Sequence, residues 1–391
     1  MSAEILIPMI CLVAILVTEY KSNKRRKEEY RELECFAEFL SDLKDHFYAC
    51  KNVTEAIFRA AERMPGPLRK RLEEISALLE KDAWETTATE ETVTERFRYL
   101  RPFVLQCRSA IRYGSGEKGA ESVFLKNLTE LRMDVKEECA ARAASMYAFA
   151  GLGVITVIGT VFPVWIQKFG EMTMPDSGSF YRTWGGHVTV AVFLVMTVGC
   201  YLFLQGVRQS EESSRPEDGG GKRRMYPRIF WNLGKGSEVM ELQGMIVLLM
   251  NVPGITLSDL LDVLCTGAQR FRRPLLRCRD AYGADDMAAL QRLYEEVSYT
   301  PFRQMVGRLL MSDKVGLREA FSDLAADRRY LREQLRMRRE QERKKKTAYA
   351  QIAAFCPMFF LLFAYLIIPF LVMSLGQMGE LFGQMDRLRV Y

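Results

Sequence analysis

Four long apolar segments constrain this chain more than any other feature of its sequence. They cover residues 5–20, 146–166, 187–205 and 349–373. The last three are 21, 19 and 25 residues long, and helices of that length cross a hydrocarbon layer of roughly 30 Å. The first has only 16 residues, so it needs residues 1–3 and a locally thinner bilayer to cross. The pattern predicts an integral membrane protein with four transmembrane helices.

The first apolar segment has the length of a signal peptide, but its charges lie on the wrong side. A signal peptide carries positive charge before its apolar core. Here the basic residues Lys21, Lys24, Arg25, Arg26 and Lys27 follow the core instead. We interpret the segment as an uncleaved anchor, and a processed or interfacial segment is the alternative.

The net charge of +6 is concentrated beside the apolar segments. Residues 21–27 carry five basic side chains, and residues 332–346 carry eight basic and three acidic ones. Anionic lipid attracts such clusters by about 1 kcal/mol per residue, whereas nucleic-acid binding needs a basic face on a folded domain. We therefore predict contacts with membrane lipid and none with nucleic acid. The predicted juxtamembrane anchors are Lys24, Arg25, Arg26, Lys27, Arg339, Arg343, Lys344, Lys345 and Lys346.

The same charges predict a topology, because loops rich in Lys and Arg stay on the cytoplasmic side. Both termini are expected outside and both long polar segments in the cytoplasm. The predicted order is an anchor at 1–20, a cytoplasmic domain at 21–145, a span at 146–167, an external loop at 168–186, a span at 187–206, a cytoplasmic domain at 207–347, a span at 348–374 and an external tail at 375–391.

Both predicted cytoplasmic domains have apolar residues at helical spacing, and alternating β patterns are absent. Breaks are expected at residues 65–67 and 252–254, and residues 209–222 are expected to be flexible. A helix from Ala120 is expected to run without a break into the second span. The apolar positions that define the first domain are Leu33, Phe36, Leu40, Leu43, Phe47, Leu68, Leu72, Ile75, Leu79, Phe97, Leu100, Val104 and Ile111.

Short matching segments suggest that the two domains are an internal duplication. Helix capping alone is the alternative, since a hydroxyl group and an acid satisfy free N–H groups at a helix start. Recurrence before a span in both halves favours duplication. The pairs are Val53-Thr54-Glu55-Ala56-Ile57 with Leu257-Ser258-Asp259-Leu260-Leu261, and Gly119-Ala120-Glu121-Ser122-Val123-Phe124 with Gly316-Leu317-Arg318-Glu319-Ala320-Phe321.

These features resemble the type II secretion F family, the inner-membrane platform proteins of type II secretion, type IV pili and tight-adherence pili. The resemblance rests on the order span, domain, span, span, domain, span, and on residues 254–261 and 316–321, which resemble the family's glycine, apolar, acid, small-residue helix start. The additional amino-terminal span resembles the tight-adherence branch. The first domain departs from the pattern, because Cys50 stands where the second has Gly254.

The resemblance implies both a fold and a function. The implied fold is an all-α integral membrane protein with four transmembrane helices and two duplicated cytoplasmic helical bundles. The implied function is a non-enzymatic scaffold in the bacterial inner (plasma) membrane that couples a separate hexameric ATPase to pilin or pseudopilin assembly. It implies a homo-oligomer or a hetero-oligomer with a paralogous subunit. A membrane assembly or sporulation-associated factor of the same architecture, without a pilus, is the alternative.

Motifs for chemistry are few. Residues 114–119 fit GxGxxG, but an apolar helix rather than a strand precedes them, so we expect an inter-helix turn and no dinucleotide site. There is no GxxxxGK[ST] motif, so any ATPase is a different chain. Nine cysteines without a CxxC pair indicate a reduced compartment, and His46 and His187 are too few for a structural zinc site. We predict no catalytic residue, cofactor or metal.

Enzyme and transporter functions are disfavoured by the placement of acidic residues. A prepilin peptidase needs paired aspartates near the membrane, and a transporter needs ionisable groups at mid-bilayer. The apolar segments have neither, and the prolines in the second and fourth spans, Pro163, Pro357 and Pro369, are interpreted as packing kinks. The aspartates considered, Asp259, Asp262, Asp285 and Asp286, belong to predicted soluble helices or turns.

Three arginines are candidate contacts for the ATPase. Arg270, Arg272 and Arg273 precede Pro274 and are expected on an exposed turn, where their charge would attract an acidic surface. A solvated loop is the alternative. Residues 332–346 likewise suit either a lipid anchor or a docking surface for an acidic partner.

Overall fold

A computed structural model describes residues 3–80, 98–114, 117–118, 121–156, 184–212, 234–283, 286–326 and 328–363, with a few further residues at 169, 172 and between 367 and 382. The chain divides into two compact units. We call Met1–Arg26, Met146–Gln209 and Lys344–Tyr391 the apolar unit, and Lys27–Ser145 with Ser210–Arg343 the charged unit. Pro163, Pro369, Asp285 and most of the predicted external loop, external tail and flexible stretch lie outside the described residues.

The described chain is helical almost throughout, which confirms the all-α prediction. Its one element of β structure is a two-residue ladder, β1 (Glu117–Lys118) with β2 (Glu121–Ser122). The helices are α1 (Ala3–Cys50), α2 (Val53–Ala61), α3 (Gly66–Glu80), α4 (Leu100–Tyr113), α5 (Val123–Ala148), α6 (Trp184–Glu212), α7 (Lys235–Leu249), α8 (Leu257–Gly267), α9 (Arg272–Tyr282), α10 (Asp286–Glu296), α11 (Thr300–Val315), α12 (Leu317–Ala320), α13 (Ser322–Ala326) and α14 (Arg328–Leu362).

The first core of the charged unit is built by α2 to α5 and the charged part of α1. The five apolar positions predicted on α1 are all buried, as their spacing of three or four residues requires. Phe36 and Phe39 pack edge-on against Phe103 of α4, with ring centroids 6.0 and 5.6 Å apart. Ile111, predicted for the same core, is 45% exposed, although it lies on the side of Val104 and Cys107, in the last turn of α4.

The second core lies among α7 to α13, where Phe271 stacks on Phe302 with ring centroids 4.2 Å apart. Each core also takes one side chain from the other segment of the chain. Leu248 of α7 is buried in the first core, and Leu105 of α4 is buried in the second. The two segments predicted as separate domains therefore contribute to one compact unit.

Two helical segments are long and apolar enough to cross a membrane, Val123–Thr156 and Gly186–Arg208. Only 28% and 22% of their most apolar windows are buried inside the protein. Most of their apolar surface thus faces outward, as it does on a helix surrounded by lipid. This is compatible with a membrane protein. Four spans are not confirmed, and all four predicted spans remain predictions.

The predicted unbroken helix from Ala120 into the second span is wrong. Helix α5 ends at Ala148, residues 149–151 form a turn, and helix resumes over residues 152–156. Gly151 has a φ of 79°, in the left-handed region that glycine adopts without steric cost. By contrast, α14 runs unbroken from Arg328 to Leu362 through Pro357.

Candidate functional site

Four charged side chains form a buried network inside the charged unit. Arg98 precedes α4, Glu138 lies on α5, Glu241 on α7 and Arg339 on α14. Arg98 donates to Glu138 at 2.9 Å, and Arg339 lies 3.1 Å from the same carboxylate. Both arginines also donate to Glu241, Arg339 through its Nε at 3.0 Å. This central network joins four parts of the chain that are far apart in sequence.

The central network keeps its charges despite burial. Burial alone would raise the pKa of the Glu138 carboxyl, but the guanidinium groups of Arg98, Arg339 and Arg142 outweigh it and hold the pKa well below its usual range. The pKa of Glu241 is lowered against burial by Arg339 and Arg98 in the same way. Buried charges that lack such partners are strongly destabilising. The network therefore depends on all four members being present.

A second set of ion pairs connects α5 to α14 beside the central network. Arg332 donates to Asp134 at 2.9 Å and to Glu130, and Arg328 donates to Asp134 at 3.1 Å. A cavity of about 50 Å³ lies between the two sets of pairs. It has room for water molecules and is far smaller than the several hundred Å³ of a typical ligand pocket. The arrangement is therefore suited to holding helices together rather than to binding a substrate.

Arg270 lies in a different environment from the exposed turn that the sequence predicted. Its guanidinium group is 3.2 Å from the buried carboxylate of Glu238, and its side chain is only 13% exposed. Glu238 also accepts hydrogen bonds from the backbone N–H groups of Gln269, Arg270 and Phe271, at 2.7, 2.8 and 3.2 Å. The carboxylate draws the turn inward, because it satisfies three N–H groups that would otherwise need water.

The other two candidate ATPase contacts lie in a helix and not in a turn. Arg272 and Arg273 are the first residues of α9, where Arg272 is partly exposed and Arg273 exposed. The sequence predicted an exposed turn at these residues, and the structure shows the start of a helix instead. Pro274 occupies the third position of α9, within the first turn, where the backbone needs no N–H donor.

The nine predicted lipid anchors separate into different environments. Lys24, Arg25, Lys27, Lys344 and Lys345 are exposed, whereas Arg26 and Arg343 are partly buried. Lys346 is buried at 5% exposure, and Arg339 belongs to the central network. Helical phase explains this division, because residues in a continuous basic run point in different directions around the helix axis.

A further buried charge cluster lies in the apolar unit. Arg208 of α6 donates to Glu19 of α1 at 2.5 Å and to the backbone carbonyl of Phe149 at 2.7 Å. Gln205 donates to Glu19 at 2.9 Å and to the hydroxyl of Tyr201 at 2.8 Å. Glu19 and Arg208 are only 7% and 2% exposed. We call these residues the Glu19 cluster.

Sequence reasoning missed the Glu19 cluster, although two signals pointed to it. Glu19 is the one acidic residue within the first apolar segment. Tyr201, Gln205 and Arg208 follow one another at spacings of four and three residues, so they form a polar stripe on an apolar helix. What the sequence lacked was any indication that this stripe faces α1.

The remaining motifs and acidic residues considered in the sequence lie in a connection between helices or at an exposed helix start. The GxGxxG segment lies in the connection between α4 and α5, with Gly114 at a φ of 79°. Asp286 is the exposed first residue of α10. Among the described residues, no cluster of three or more His, Cys, Asp or Glu side chains is arranged to hold a metal ion, and the eight described cysteines are free thiols.

No family model, curated protein sequence or solved structure matches this chain.

Proposed function

We propose that this chain is a non-enzymatic platform of the bacterial inner membrane, which couples a separate hexameric ATPase in the cytoplasm to assembly of a pilus or pseudopilus. In this proposal four transmembrane helices cross the bilayer, both termini lie outside, and the charged unit lies in the cytoplasm. The coupling of an ATPase to fibre assembly is the part of the proposal that comes from the resemblance to the type II secretion F family.

The observation that carries the proposal is that single helices join charged and apolar segments of the chain. Helix α14 contains Arg339 of the central network and, twenty residues later, Phe359, which is 74% exposed. Helix α1 likewise continues from apolar residues into the first core of the charged unit. Helices are rigid elements that carry displacement along their length. A platform between an ATPase and a fibre requires such a mechanical link.

The chemistry of the central network also supports a scaffold. General acid or base catalysis needs a group that exchanges protons near the working pH. The carboxyls of Glu138 and Glu241 have lowered pKa values and remain ionised at neutral pH. Their role in the proposal is to hold the charged unit rigid while it transmits force.

The exposed basic residues define the proposed contacts. Arg273, with Arg272 beside it, is proposed to face an acidic surface of the ATPase, since long-range attraction speeds such encounters. The residues proposed to face anionic lipid are the exposed members of the basic runs, Lys24, Arg25, Lys27, Lys344 and Lys345.

Co-purification after cross-linking in cells tests the proposal. A tagged chain is expected to recover a hexameric secretion ATPase, and Arg273→Glu is expected to lower that recovery severalfold. Arg318→Glu is the matched control, because Arg318 is equally exposed in the same segment and should leave recovery unchanged. Absence of any ATPase, with the tagged chain present in membranes at normal levels, would overturn the proposal.

A further inference from the structure

Helices α4 and α11 of the charged unit share one pattern of burial. Each has four core residues at relative positions 0, 3, 4 and 7, and each ends at a glycine fourteen residues after the first of them. Gly114 and Gly316 both have a positive φ, of 79° and 89°. The core residues are Leu100, Phe103, Val104 and Cys107 in α4, and Phe302, Met305, Val306 and Leu309 in α11.

Helices α2 and α8 correspond in the same way. Each begins after a residue whose side chain accepts a backbone N–H hydrogen bond, Asn52 for α2 and Thr256 for α8. Each then buries residues at the same four relative positions: Ala56, Ile57, Ala60 and Ala61 in α2, and Leu260, Leu261, Leu264 and Cys265 in α8. Residues 27–145 and 234–343, here called the first and second halves, thus place equivalent helices in equivalent order.

The first half uses α4 to pack on the second half. Arg101 forms an ion pair with Asp262 of α8 at 3.0 Å and donates to Thr266 at 3.4 Å. Ser109 donates to the carbonyl of Pro253 at 2.6 Å. Leu105, between them on the same face, is buried in the core of the second half.

The equivalent surfaces on the other sides of the two halves are uncovered. Met311 of α11 occupies the position of Ser109 and is 65% exposed, whereas Ser109 is only 6% exposed. Phe58 of α2 occupies the position of Asp262 and is 49% exposed. If a twofold axis related the halves, α11 would cover α2 as α4 covers α8. Within the part of the chain that the structure describes, the packing is therefore one-sided, and it leaves an exposed ridge on α11 and an exposed receiving surface on α2.

The two exposed surfaces can be compared position by position with the packed pair. The receiving surface is a groove of about 460 Å³ lined by His46, Phe58, Arg63, the exposed Glu62 and the ion pair of Glu55 with Arg59. Arg303 on α11 corresponds to Arg101, and Glu62 corresponds to Thr266, to which Arg101 donates. By this correspondence, docking α11 into the groove would place Arg303 beside Phe58 and Glu62, as Arg101 lies beside Asp262 and Thr266.

We propose that α11 of one copy of this chain docks in the groove on α2 of a second copy, head to tail, by repeating the packing between the two halves. The proposal rests on the membrane platform proposed above. Such a contact uses a different surface on each copy, so it can be repeated from one copy to the next and build oligomers larger than a dimer.

Cysteine cross-linking in native membranes tests this contact. Two differently tagged full-length chains are co-expressed, one carrying Phe58→Cys and the other Arg303→Cys, and treated with a short thiol cross-linker. A mixed-tag dimer is expected on a denaturing gel, and a chain carrying both substitutions should give a ladder of larger species. The matched control pairs Arg303→Cys with Arg69→Cys, an exposed position on α3, and should give only the background of the wild-type chain.

Charge reversal provides a second test without new cysteines. Arg303→Glu and Glu62→Arg should each lower the yield of endogenous oligomer by about twofold to fivefold, as expected for an exposed ion pair, and the double variant should restore it. A dimer formed only through Arg303→Cys on both chains, cross-links only to a different protein, or no cross-link at any of these positions would overturn the contact. If the ATPase still co-purifies in those cases, the platform function stands and only the head-to-tail contact fails.

Discussion

Arg98 and Arg339 face the carboxylates of Glu138 and Glu241 from two sides, so four charges share one buried space. Desolvation of each charge costs several kcal/mol, and mutual attraction offsets that cost only while all partners remain. Tyr99 adds its hydroxyl group as an acceptor for Arg98 at 2.7 Å. Each of these residues is therefore more sensitive to truncation than the many exposed arginines around it.

Arg339→Ala should destabilise the charged unit by about 3 kcal/mol, because Glu138 and Glu241 then lose one of their two guanidinium partners. The measurement is the apparent unfolding temperature of the purified protein in detergent. Arg336→Ala is the control, since Arg336 is exposed on the same helix and its loss should change stability by less than about 0.5 kcal/mol. Equal effects of the two substitutions would contradict the network.

The lowered pKa values of Glu138 and Glu241 predict a stability that depends on pH. A carboxyl whose folded pKa lies below its unfolded value of about 4.3 contributes fully above that value, and the contribution is lost as the pH falls toward the folded pKa. Stability should therefore be level from about pH 7 to 5 and decline below about pH 4.5. Glu138→Gln should make that decline shallower, and an unchanged slope would contradict the assignment.

The sequence predicted which residues fill the cores and could not predict which charges pair. Spacing alone placed Leu33, Phe36 and Leu40 in the core, because a helix that buries one stripe repeats it every three or four residues. Arg339 and Arg336 occur in one basic run and differ only in which way they point. Their roles depend on the positions of α5 and α7, which carry Glu138 and Glu241, and a local sequence pattern does not predict those positions.

At the scale of elements, the turn at residues 149–151 and the Glu19 cluster belong together. Ending α5 leaves the carbonyl of Phe149 without a helical partner, and Arg208 donates to it. Gly153, just beyond the turn, leaves the space in which the Glu19 carboxylate lies, since a Cβ atom there would be 2.6 Å from that group. Three segments of the apolar unit thus meet at one ion pair.

Gly153→Ala should destabilise the apolar unit, because the added methyl group displaces the Glu19 carboxylate from Arg208. Gly199→Ala on α6 is the matched control, since no atom lies within 4 Å of its added Cβ. Thermal unfolding in detergent should show a loss of about 1–3 kcal/mol for the first substitution and little change for the second. Equal tolerance of both would show that the close approach of Glu19 is unimportant.

Element boundaries were predictable where glycine or proline marked them and misread where proline was compatible with a helix. The breaks before α3 and α8 coincide with Pro65 and Pro253. Helix α9 was missed because Arg272-Arg273-Pro274 suggested a turn, although proline is well tolerated in a first helical turn. The hydroxyl and acid before α8 do form a reciprocal cap, Thr256 with Asp259.

At the scale of the whole molecule, composition predicted an all-helical membrane protein, and the structure supports helices and two candidate spans. The single charged unit was not predicted. Its two segments are 65 residues apart in sequence, and they come together through Leu105, Leu248 and the central network. Contacts of this kind depend on tertiary packing, which hydrophobic periodicity does not encode.

The proposed topology predicts which substituted cysteines react from outside the cell. A cysteine at Ser177, in the predicted external loop, should react with a membrane-impermeant thiol reagent in intact cells. One at Ser213, in the predicted cytoplasmic segment, should react only after the cells are permeabilised. The wild-type chain measures the background from native thiols, and labelling of the Ser213 variant in intact cells would contradict the topology.

An unbroken helix transmits torsion as well as thrust, because its hydrogen bonds fix the rotation of each residue relative to the next. Turning Arg339 about the axis of α14 must therefore turn Phe359 with it. Helix α5 differs from α14, because its hydrogen-bonded ladder ends at Ala148, before the turn at residues 149–151. The ladder that passes Arg339 therefore continues without interruption to Leu362, whereas the ladder that passes Glu138 stops at the turn.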